Sequence, residues 1–183
     1  MKKVFIVGDT HGRLVVPPDD CDIAVHTGDW ISEREALRGY GSRTGAPPLA
    51  RKMDELYDYC LWGNHEWDLS SLLAPGGSRR RLHELHPAEY IVMIEGVTMR
   101  FSHYLVARDS ARPIPPYPEE LLPQVYEEYL GRGWQVVAYG HSHRARNDVV
   151  KKVHFVDVGF GHDGDYCVLI VDNGEVRVDL RRV

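Results

Sequence analysis

Four short apolar segments, each followed by a polar motif that contains glycine, most strongly limit the folds open to this chain. Short apolar runs bounded by such motifs are typical of strands buried on both faces of a sheet. Ligands of open α/β sheets bind outside the carboxyl ends of the strands, so the pattern predicts that the four motifs meet at one edge. The segments and their motifs are Val4–Val7 before GDTHG, Asp22–His26 before TGDW, Tyr59–Trp62 before GNHE and Gln135–Tyr139 before GHSH.

The remaining segments predict helices between these strands and antiparallel strands toward the carboxyl end. Pro48–Asp58 has apolar residues at helical spacing, and Ser78–His86 and Glu119–Leu130 are weaker helix candidates. We expect a single α/β domain over residues 1–183. The strands expected to be antiparallel are Tyr90–Glu95 and Val97–His103 around Gly96, then Val149–Val158, Tyr166–Val171 and Val176–Leu180, the last two joined by a turn at residues 172–174.

Composition excludes several classes of function. A net charge of −5 does not favour a general polynucleotide binder, so contact with phosphate must be local. Three widely spaced cysteines form no metal-binding pair, which predicts reduced thiols and a cytoplasmic protein. No apolar run approaches about 18 residues, so we expect no membrane span. Aromatic residues near the motifs leave a nuclease open as an alternative, since they could stack on a base: Trp30, Tyr40, Tyr104 and Tyr117.

The polar residues at the predicted strand ends form a candidate metal-binding set. Carboxylates, imidazoles and an amide without thiolates suit Mn, Fe, Zn, Co or Ni. The alternate residues of DTH and HSH can point the same way from extended backbone. The isolated His103 carries no local motif, and His83 is its competitor. The candidates are Asp9, His11, Asp29, Asn64, His65, His103, His141 and His143.

So large a set exceeds one tetrahedral ion but fits two. Paired ions lie about 3.5–4 Å apart and need an anion between them, for which Asp29 is the natural choice. Two divalent ions outweigh Asp9, Asp29 and a bound hydroxide, so the site stays positive enough to meet a phosphate. Metal coordination lowers the pKa of water to about 7, which makes a hydroxide nucleophile available.

The five blocks GDTHG, TGDW, GNHE, His103 and GHSH, in this order, resemble the pattern of the calcineurin-like metallophosphoesterase family. The resemblance extends from Asp9 to His143. It implies a four-layer α/β/β/α sandwich of two mixed β-sheets flanked by helices. The small size resembles the compact bacterial and archaeal phosphodiesterases of that family.

The resemblance also implies roles for the candidate residues. Two divalent ions are expected, with Mn first and Fe, Zn, Ni, Co or Mg as alternatives. The catalytic residues implied are Asp29, and His65 as proton donor to the leaving oxygen of a small phosphodiester or phosphomonoester attacked by a metal-bound hydroxide. The first metal would be held by Asp9, His11 and His143, the bridge would be Asp29, and the second metal would be held by Asn64, His103 and His141.

Departures from the family pattern bear on the alternatives. WISERE follows Asp29, and Trp62 precedes GNHE, where phosphoserine/threonine phosphatases carry phosphate-binding arginines. These departures argue against a protein phosphatase, which GDTHG and GNHE otherwise favour as a rival. The other rivals are a nucleotidase and a non-catalytic interaction scaffold, the last disfavoured because His65 is kept. The loops Arg38–Pro48 and Arg112–Pro118 are predicted surface connections, with a lid as the alternative. Lesser candidates for phosphate or rim contact are Arg13, Arg108, Arg144 and His162.

Overall fold

A computed structural model describes residues 1–32, 48–68, 88–106 and 115–183 of the chain. The helices in these ranges are α1 (Pro48–Leu56), α2 (Asn64–Asp68) and α3 (Leu122–Glu127). The strands are β1 (Lys2–Val7), β2 (Ile23–His26), β3 (Tyr59–Cys60), β4 (Glu89–Ile94), β5 (Val97–Ser102), β6 (Val136–Tyr139), β7 (Ala145–Val150), β8 (Val153–Val158), β9 (Asp165–Asp172) and β10 (Glu175–Arg182).

The strands form two five-stranded mixed sheets that face each other. Sheet one has the order β10-β9-β1-β2-β3, and sheet two has the order β4-β5-β6-β8-β7. In sheet one β1, β2 and β3 are parallel, and in sheet two β5, β6 and β8 are parallel. Their carboxyl ends carry the polar motifs, so the parallel part of each sheet presents its motifs to the other.

The side chains of β1 show why the sheets stack with outer layers. Val4 and Ile6 are buried in the core between the sheets, together with Phe101 and Val136 of sheet two. Alternate residues of a strand point to opposite faces, and Phe5 packs in a second cluster on the outer face of sheet one. That second cluster includes Leu49 and Met53 of α1, while α3 packs in a third cluster, on the outside of sheet two, through Val125 and Tyr126. The predicted α/β/β/α sandwich is confirmed.

Most predicted elements are found with shifted ends. The helix predicted over Glu119–Leu130 begins as a 3-10 turn and ends at Glu127, with Pro123 in the first turn of α3, where its missing N–H costs nothing. The hairpin of β4 and β5 and that of β9 and β10 are confirmed, and Asn173 and Gly174 adopt the positive φ values that a tight hairpin turn needs. The helix predicted over Ser78–His86 lies outside the described residues.

Two predictions about the strands are wrong. Val149–Val158 is not one strand but parts of β7 and β8, which turn at Lys151 and Lys152 with φ values of 48° and 69°. The sequence hid this turn because neither lysine is a turn former. The later strands are also not all antiparallel, since β8 and β5 both run parallel to β6. This arrangement brings the end of β5, and with it His103, to the same edge as GHSH.

Candidate metal centre

The loops after β1 and β2 are joined to each other by backbone hydrogen bonds. The N–H of Asp9 donates to the carbonyl of Gly28, and the N–H of His11 donates to the carbonyl of Asp29, both at 2.9 Å. Gly12 continues the series with Trp30. The GDTHG motif therefore lies along the TGDW motif, which places both carboxylates next to each other.

The candidate ligands do not lie on extended backbone, although the spacing of DTH and HSH predicted extended backbone there. Five of them, including both residues of each D-x-H and H-x-H pair, adopt left-handed backbone with φ between 44° and 72°. Non-glycine residues in this region cost about 1–3 kcal/mol each and are retained where the surrounding structure fixes them. The side chains converge because the chain turns sharply at these residues: Asp9, His11, Asp29, His141 and His143.

Glu66, in α2, holds the TGDW and GNHE loops together through backbone hydrogen bonds. Its fully buried carboxylate accepts hydrogen bonds from the backbone N–H groups of Asp29 (2.8 Å), Ile31 (2.8 Å) and Gly63 (2.7 Å). Burial raises the pKa of Glu66 to about 8, with the charge of Asp29 adding to the effect. One side chain thus fixes the TGDW loop against the GNHE loop.

Sheet two closes the cluster from the opposite side. The backbone N–H of His141 donates to Oδ2 of Asp9 at 2.8 Å, and a β-carbon at Gly140 would collide with that same oxygen. His103, which is 1% exposed, lies with Nε2 3.4 Å from Oδ2 of Asp29. Gly140, which precedes the His141 and His143 pair, is therefore needed for the close approach of the two sheets at this edge.

The structure brings all eight candidate side chains into one cluster. Potential ligand atoms of three groups lie within 4.8 Å of one another in each group, and Asp9 and Asp29 each belong to two groups. Asn64 joins through its Oδ1, which is 3.2 Å from Nε2 of His103. The groups are Asp9, Asp29, His103 and His141; Asp9, His11 and His143; and His11, Asp29 and His65.

Two of the histidines have their second nitrogen fixed by a backbone carbonyl. Nδ1 of His103 is 3.0 Å from the carbonyl of Thr27, and Nε2 of His141 is 3.1 Å from the carbonyl of Pro115. A carbonyl only accepts, so these nitrogens carry the hydrogen and the other nitrogen of each ring offers a lone pair. This is the arrangement found around histidines that bind metals.

Unpaired buried atoms and the donor types both fit divalent cations. Oδ1 of Asp9 and Nε2 of His11 are buried and make no hydrogen bond within the described part of the chain, and Nε2 of His143 is 3.4 Å away from that oxygen. An unsatisfied buried polar atom costs about 1–3 kcal/mol, which a bound cation would offset. Burial lowers the pKa values of His11 and His141, so both imidazoles are neutral at pH 7 and can donate a lone pair.

The charges of the cluster act on each other across the two sheets. Burial lowers the pKa of His103, but its hydrogen bond to Asp29 and the charge of Asp29 outweigh burial and hold that pKa above the usual value. Burial likewise opposes ionisation of Asp29, yet His103 holds the pKa of Asp29 below its usual value. The imidazole of His103 and the carboxylate of Asp29 thus each favour the charged form of the other.

His65 is at the edge of the cluster and half-buried. Its backbone N–H donates to Oδ1 of Asp29 at 2.9 Å, and its ring lies 4.5 Å from that of His11. The size of the two tryptophans that flank GNHE, Trp62 and Trp67, predicts that both anchor this loop in the core. The prediction is confirmed for Trp62, which is 2% exposed. It is wrong for Trp67, which is 43% exposed and contacts the edge of the Trp62 ring.

Other candidates are placed outside the cluster or away from solvent. Trp30 is 1% exposed, so it cannot stack on a base. Arg13 donates to the carbonyl of His162 at 2.6 Å, which ties that segment to the GDTHG loop, while Arg144 is exposed. Cys21, Cys60 and Cys167 are free thiols. The candidates outside the described residues are Tyr40, His83, Arg108, residues 38–47 of the first predicted loop and residues 112–114 of the second.

Sequence reasoning missed three residues at the cluster. Glu66 was visible as the last residue of GNHE, but two of its three backbone partners, Asp29 and Ile31, are distant in sequence. Phe160 stacks on the ring of His143 with centroids 4.2 Å apart, although the segment GFGHDGD drew attention only to His162. Tyr104, considered only for stacking, places its hydroxyl 3.1 Å from Oδ1 of Asn64.

The chain belongs to the calcineurin-like phosphoesterase superfamily. The sequence profile of the superfamily's domain matches residues 1–172, which confirms the resemblance seen in the motifs. A comparison with curated proteins finds no match.

Solved structures with the same fold share little sequence with this chain. A predicted phosphoesterase from Streptococcus pneumoniae is 14% identical, with a TM-score of 0.56 over 99% of this chain and 89% of that one. A novel archaeal phosphodiesterase is 17% identical, with a TM-score of 0.55 over 98% and 99%. Vps29 from Entamoeba histolytica, in complex with Zn²⁺, is 14% identical, with a TM-score of 0.55 over 99% and 98%. These similarities establish the fold.

In the ranges that the structure covers, no helix is both long enough and apolar enough to cross a bilayer.

Proposed function

We propose that this protein is a phosphoesterase that uses two divalent metal ions to hydrolyse a small phosphodiester or phosphomonoester. The observation that carries the proposal is the sharing of Asp9 and Asp29 between overlapping groups of potential ligand atoms. Shared carboxylates are what a pair of adjacent cations requires, because an anion must lie between them.

The overlapping groups support a division of the ligands between two ions. Asp9, His11 and His143 would hold the first, and Asp29 would bridge. The second would be held by Asn64, His103 and His141, with Mn²⁺ as the first candidate and Fe, Zn, Ni, Co or Mg as alternatives. The Vps29 relative in complex with Zn²⁺ supports metal binding by this fold.

The residues of the chain would orient the ester and move one proton. Bound cations would lower the pKa of water to about 7 and so supply a hydroxide nucleophile. Hydrolysis would join a water-derived oxygen to phosphorus as the bond from phosphorus to the leaving oxygen breaks. His65, at the edge of the cluster, would give its proton to the leaving oxygen. Glu66 would hold the loops of Asp29 and Asn64 in place during the reaction.

A non-catalytic interaction scaffold is the second candidate. Vps29, a vacuolar protein sorting protein, shares this fold. The structure of Vps29 from Cryptosporidium parvum matches this chain with a TM-score of 0.57. This chain keeps His65 beside the metal cluster, which favours an enzyme. Turnover by metal-loaded protein separates the two candidates.

The test is a metal and substrate survey. The protein is stripped of metal and reloaded with Mn²⁺, Ni²⁺, Co²⁺, Zn²⁺ or Mg²⁺, then assayed with p-nitrophenyl phosphate, its bis-ester and a phosphoserine peptide. We expect metal-dependent release of p-nitrophenol and little phosphate from the peptide. Two bound equivalents of metal with no turnover of any ester would favour the scaffold, and preferential turnover of the peptide would favour a protein phosphatase.

Further expectations accompany this function. We propose that residues 1–183 form one domain and that the partner is a small phosphoester rather than a nucleic acid. The three free cysteines favour a reducing, cytoplasmic location.

A further inference from the structure

A cavity lies beside the metal cluster, on the side of sheet two. Its volume is about 290 Å³, close to the lower limit of about 300 Å³ for small-molecule pockets. His141 lines it, so the cavity begins where the cluster ends. A space of this size holds one ring-sized group and not a polymer. Its apolar walls include Leu105, Pro116, Tyr117, Leu122 and Tyr139.

The charges at this cavity balance one another. Arg144 and Arg146 lie 3.5 Å and 3.8 Å from Oε1 of Glu119, and Arg146 also contacts Asp148 at 2.5 Å. Two guanidinium groups are thus paired with two carboxylates, of which Asp148 lies outside the lining. Asp157 also lines the cavity, but it is buried, and burial raises its pKa to about 8, so its carboxyl group adds little charge. The cavity has little net charge to attract a second phosphate, whereas a planar ring fits apolar walls and the flat face of an arginine.

The position of His65 decides which ester group would occupy this cavity. His65 packs against His11, whereas the cavity adjoins His141, whose ring contacts His103 and Tyr104 at 5.1 Å and 4.8 Å. The leaving oxygen must be near the proton donor, so it belongs on the His11 side. The group on the His141 side is then the one that stays on phosphorus.

We propose that the cavity beside His141 binds an uncharged, ring-bearing group that remains esterified to phosphorus, so that the preferred substrate is a phosphodiester. This inference rests on the proposed function. A phosphomonoester has no group to place there, so the cavity gives it no advantage.

The test uses two diesters with the same leaving group, phenyl p-nitrophenyl phosphate and methyl p-nitrophenyl phosphate. We expect kcat/KM to be at least about tenfold higher for the phenyl ester, because burying the phenyl ring in the cavity stabilises its complex relative to that of the methyl ester. Leu122→Trp fills the cavity and should bring the two values within about threefold. The same variant should lower kcat/KM for the phenyl ester by a larger factor than it lowers kcat/KM for p-nitrophenyl phosphate.

Leu130→Trp is the matched control, because Leu130 packs partly buried in the same apolar cluster as Leu122 without lining the cavity. It should keep the phenyl preference. Equal phenyl-to-methyl ratios in Leu122→Trp and the unmodified protein would overturn the proposal, and so would the absence of a phenyl preference in the unmodified protein.

Binding without catalysis gives a second readout. The probe is 4-fluorophenol, observed by fluorine NMR with metal-free protein. We expect line broadening with the unmodified protein and Leu130→Trp but not with Leu122→Trp. Equal broadening with all three, or with none, would contradict the pocket. If the metal-loaded protein hydrolysed no ester while this binding pattern held, the proposed function would fail and the ring-binding cavity would stand.

Discussion

The two sheets contribute different chemistry to the metal cluster. Sheet one supplies both carboxylates, Asp9 and Asp29, which are 0% and 1% exposed. Backbone hydrogen bonds join their two loops, and Glu66 holds the loop of Asp29. Sheet two supplies imidazoles whose exposure rises from the buried His103 to His143, whose side chain is 43% exposed. Burying two carboxylates is costly unless cations neutralise them. The buried carboxylates that require neutralising cations therefore lie in sheet one, and sheet two would supply further ligands to those cations.

The largest effect is expected from removing charge on the sheet-one side. Asp29→Asn keeps the shape of the side chain but cannot supply an anionic bridge. We expect loss of bound metal, measured by plasma mass spectrometry, and a fall in kcat/KM of about 10⁴-fold or more, since metal catalysis contributes several kcal/mol.

Two controls sharpen that comparison. His143→Gln removes an exposed ligand of sheet two and should weaken one cation only, with activity restored by excess Mn²⁺. Asp172→Asn, at the distant hairpin turn, should change nothing. An Asp29→Asn protein that kept two metal ions and full turnover would contradict the bridging role.

His65 tests whether an imidazole of the sheet-one side donates a proton or holds metal. His65→Gln should keep the metal content and lower kcat for an alkyl ester by about 10²–10³-fold, with a smaller loss for p-nitrophenyl esters, whose leaving group needs no proton. His162→Gln, an exposed imidazole nearby, is the control. Loss of metal in His65→Gln, restored by excess Mn²⁺, would instead make His65 a ligand, as its closeness to His11 and Asp29 allows.

Glu66 tests the bracing of the sheet-one loops. Glu66→Gln replaces one acceptor oxygen by a donor that faces backbone N–H groups. We expect metal affinity, measured by calorimetry, to fall about 10–100-fold, as for other residues that orient ligands, with kcat largely recovered at saturating metal. Glu175→Gln on exposed β10 should bind metal like the unmodified protein. Unchanged metal affinity in Glu66→Gln would show that the loops keep their positions without this carboxylate.

The smallest effect is expected on the stability of the protein, through a histidine buried next to the loops of sheet one. His26 is fully buried, its Nδ1 accepts from the N–H of Gly28, and its Nε2 lies 3.0 Å from Oγ1 of Thr10. Burial lowers the pKa of His26 to about 3, against about 6.5 in the unfolded chain. The unfolded chain therefore binds the extra proton between these values, so stability present above pH 6.5 is lost as the pH falls.

We expect this histidine to remove about 2 kcal/mol of unfolding free energy from the metal-free protein between pH 7 and pH 5. His26→Asn should unfold in urea with a correspondingly weaker dependence on pH, whereas His162→Gln should not. Identical pH dependence in His26→Asn and the unmodified protein would show that His26 is not held neutral.

The sequence predicted the site better than the loops that build it. An apolar strand followed by glycine and polar residues is a local pattern, so the convergence of GDTHG, TGDW, GNHE and GHSH could be inferred from strand direction alone. The left-handed backbone of Asp9 and His141 could not, because it is imposed by contacts between the two sheets. Glu66 escaped notice because two of its partners, Asp29 and Ile31, lie on a loop of sheet one that is distant in sequence.

The errors in the fold have equally local causes. Lys151 and Lys152 turn the chain between β7 and β8 without any residue that favours a turn, so the apolar run looked continuous. Trp67 was expected in the core by its size alone, yet α2 turns it outward, because the inward position of that helix is taken by the carboxylate of Glu66.

The most direct test of the paired-cation account is anomalous diffraction from crystals soaked in Mn²⁺. Two peaks about 3.5–4 Å apart, one beside Asp9 and His143, the other beside His103 and His141, with Asp29 between them, are the predicted result. A single peak, or manganese found only away from these side chains, would contradict it.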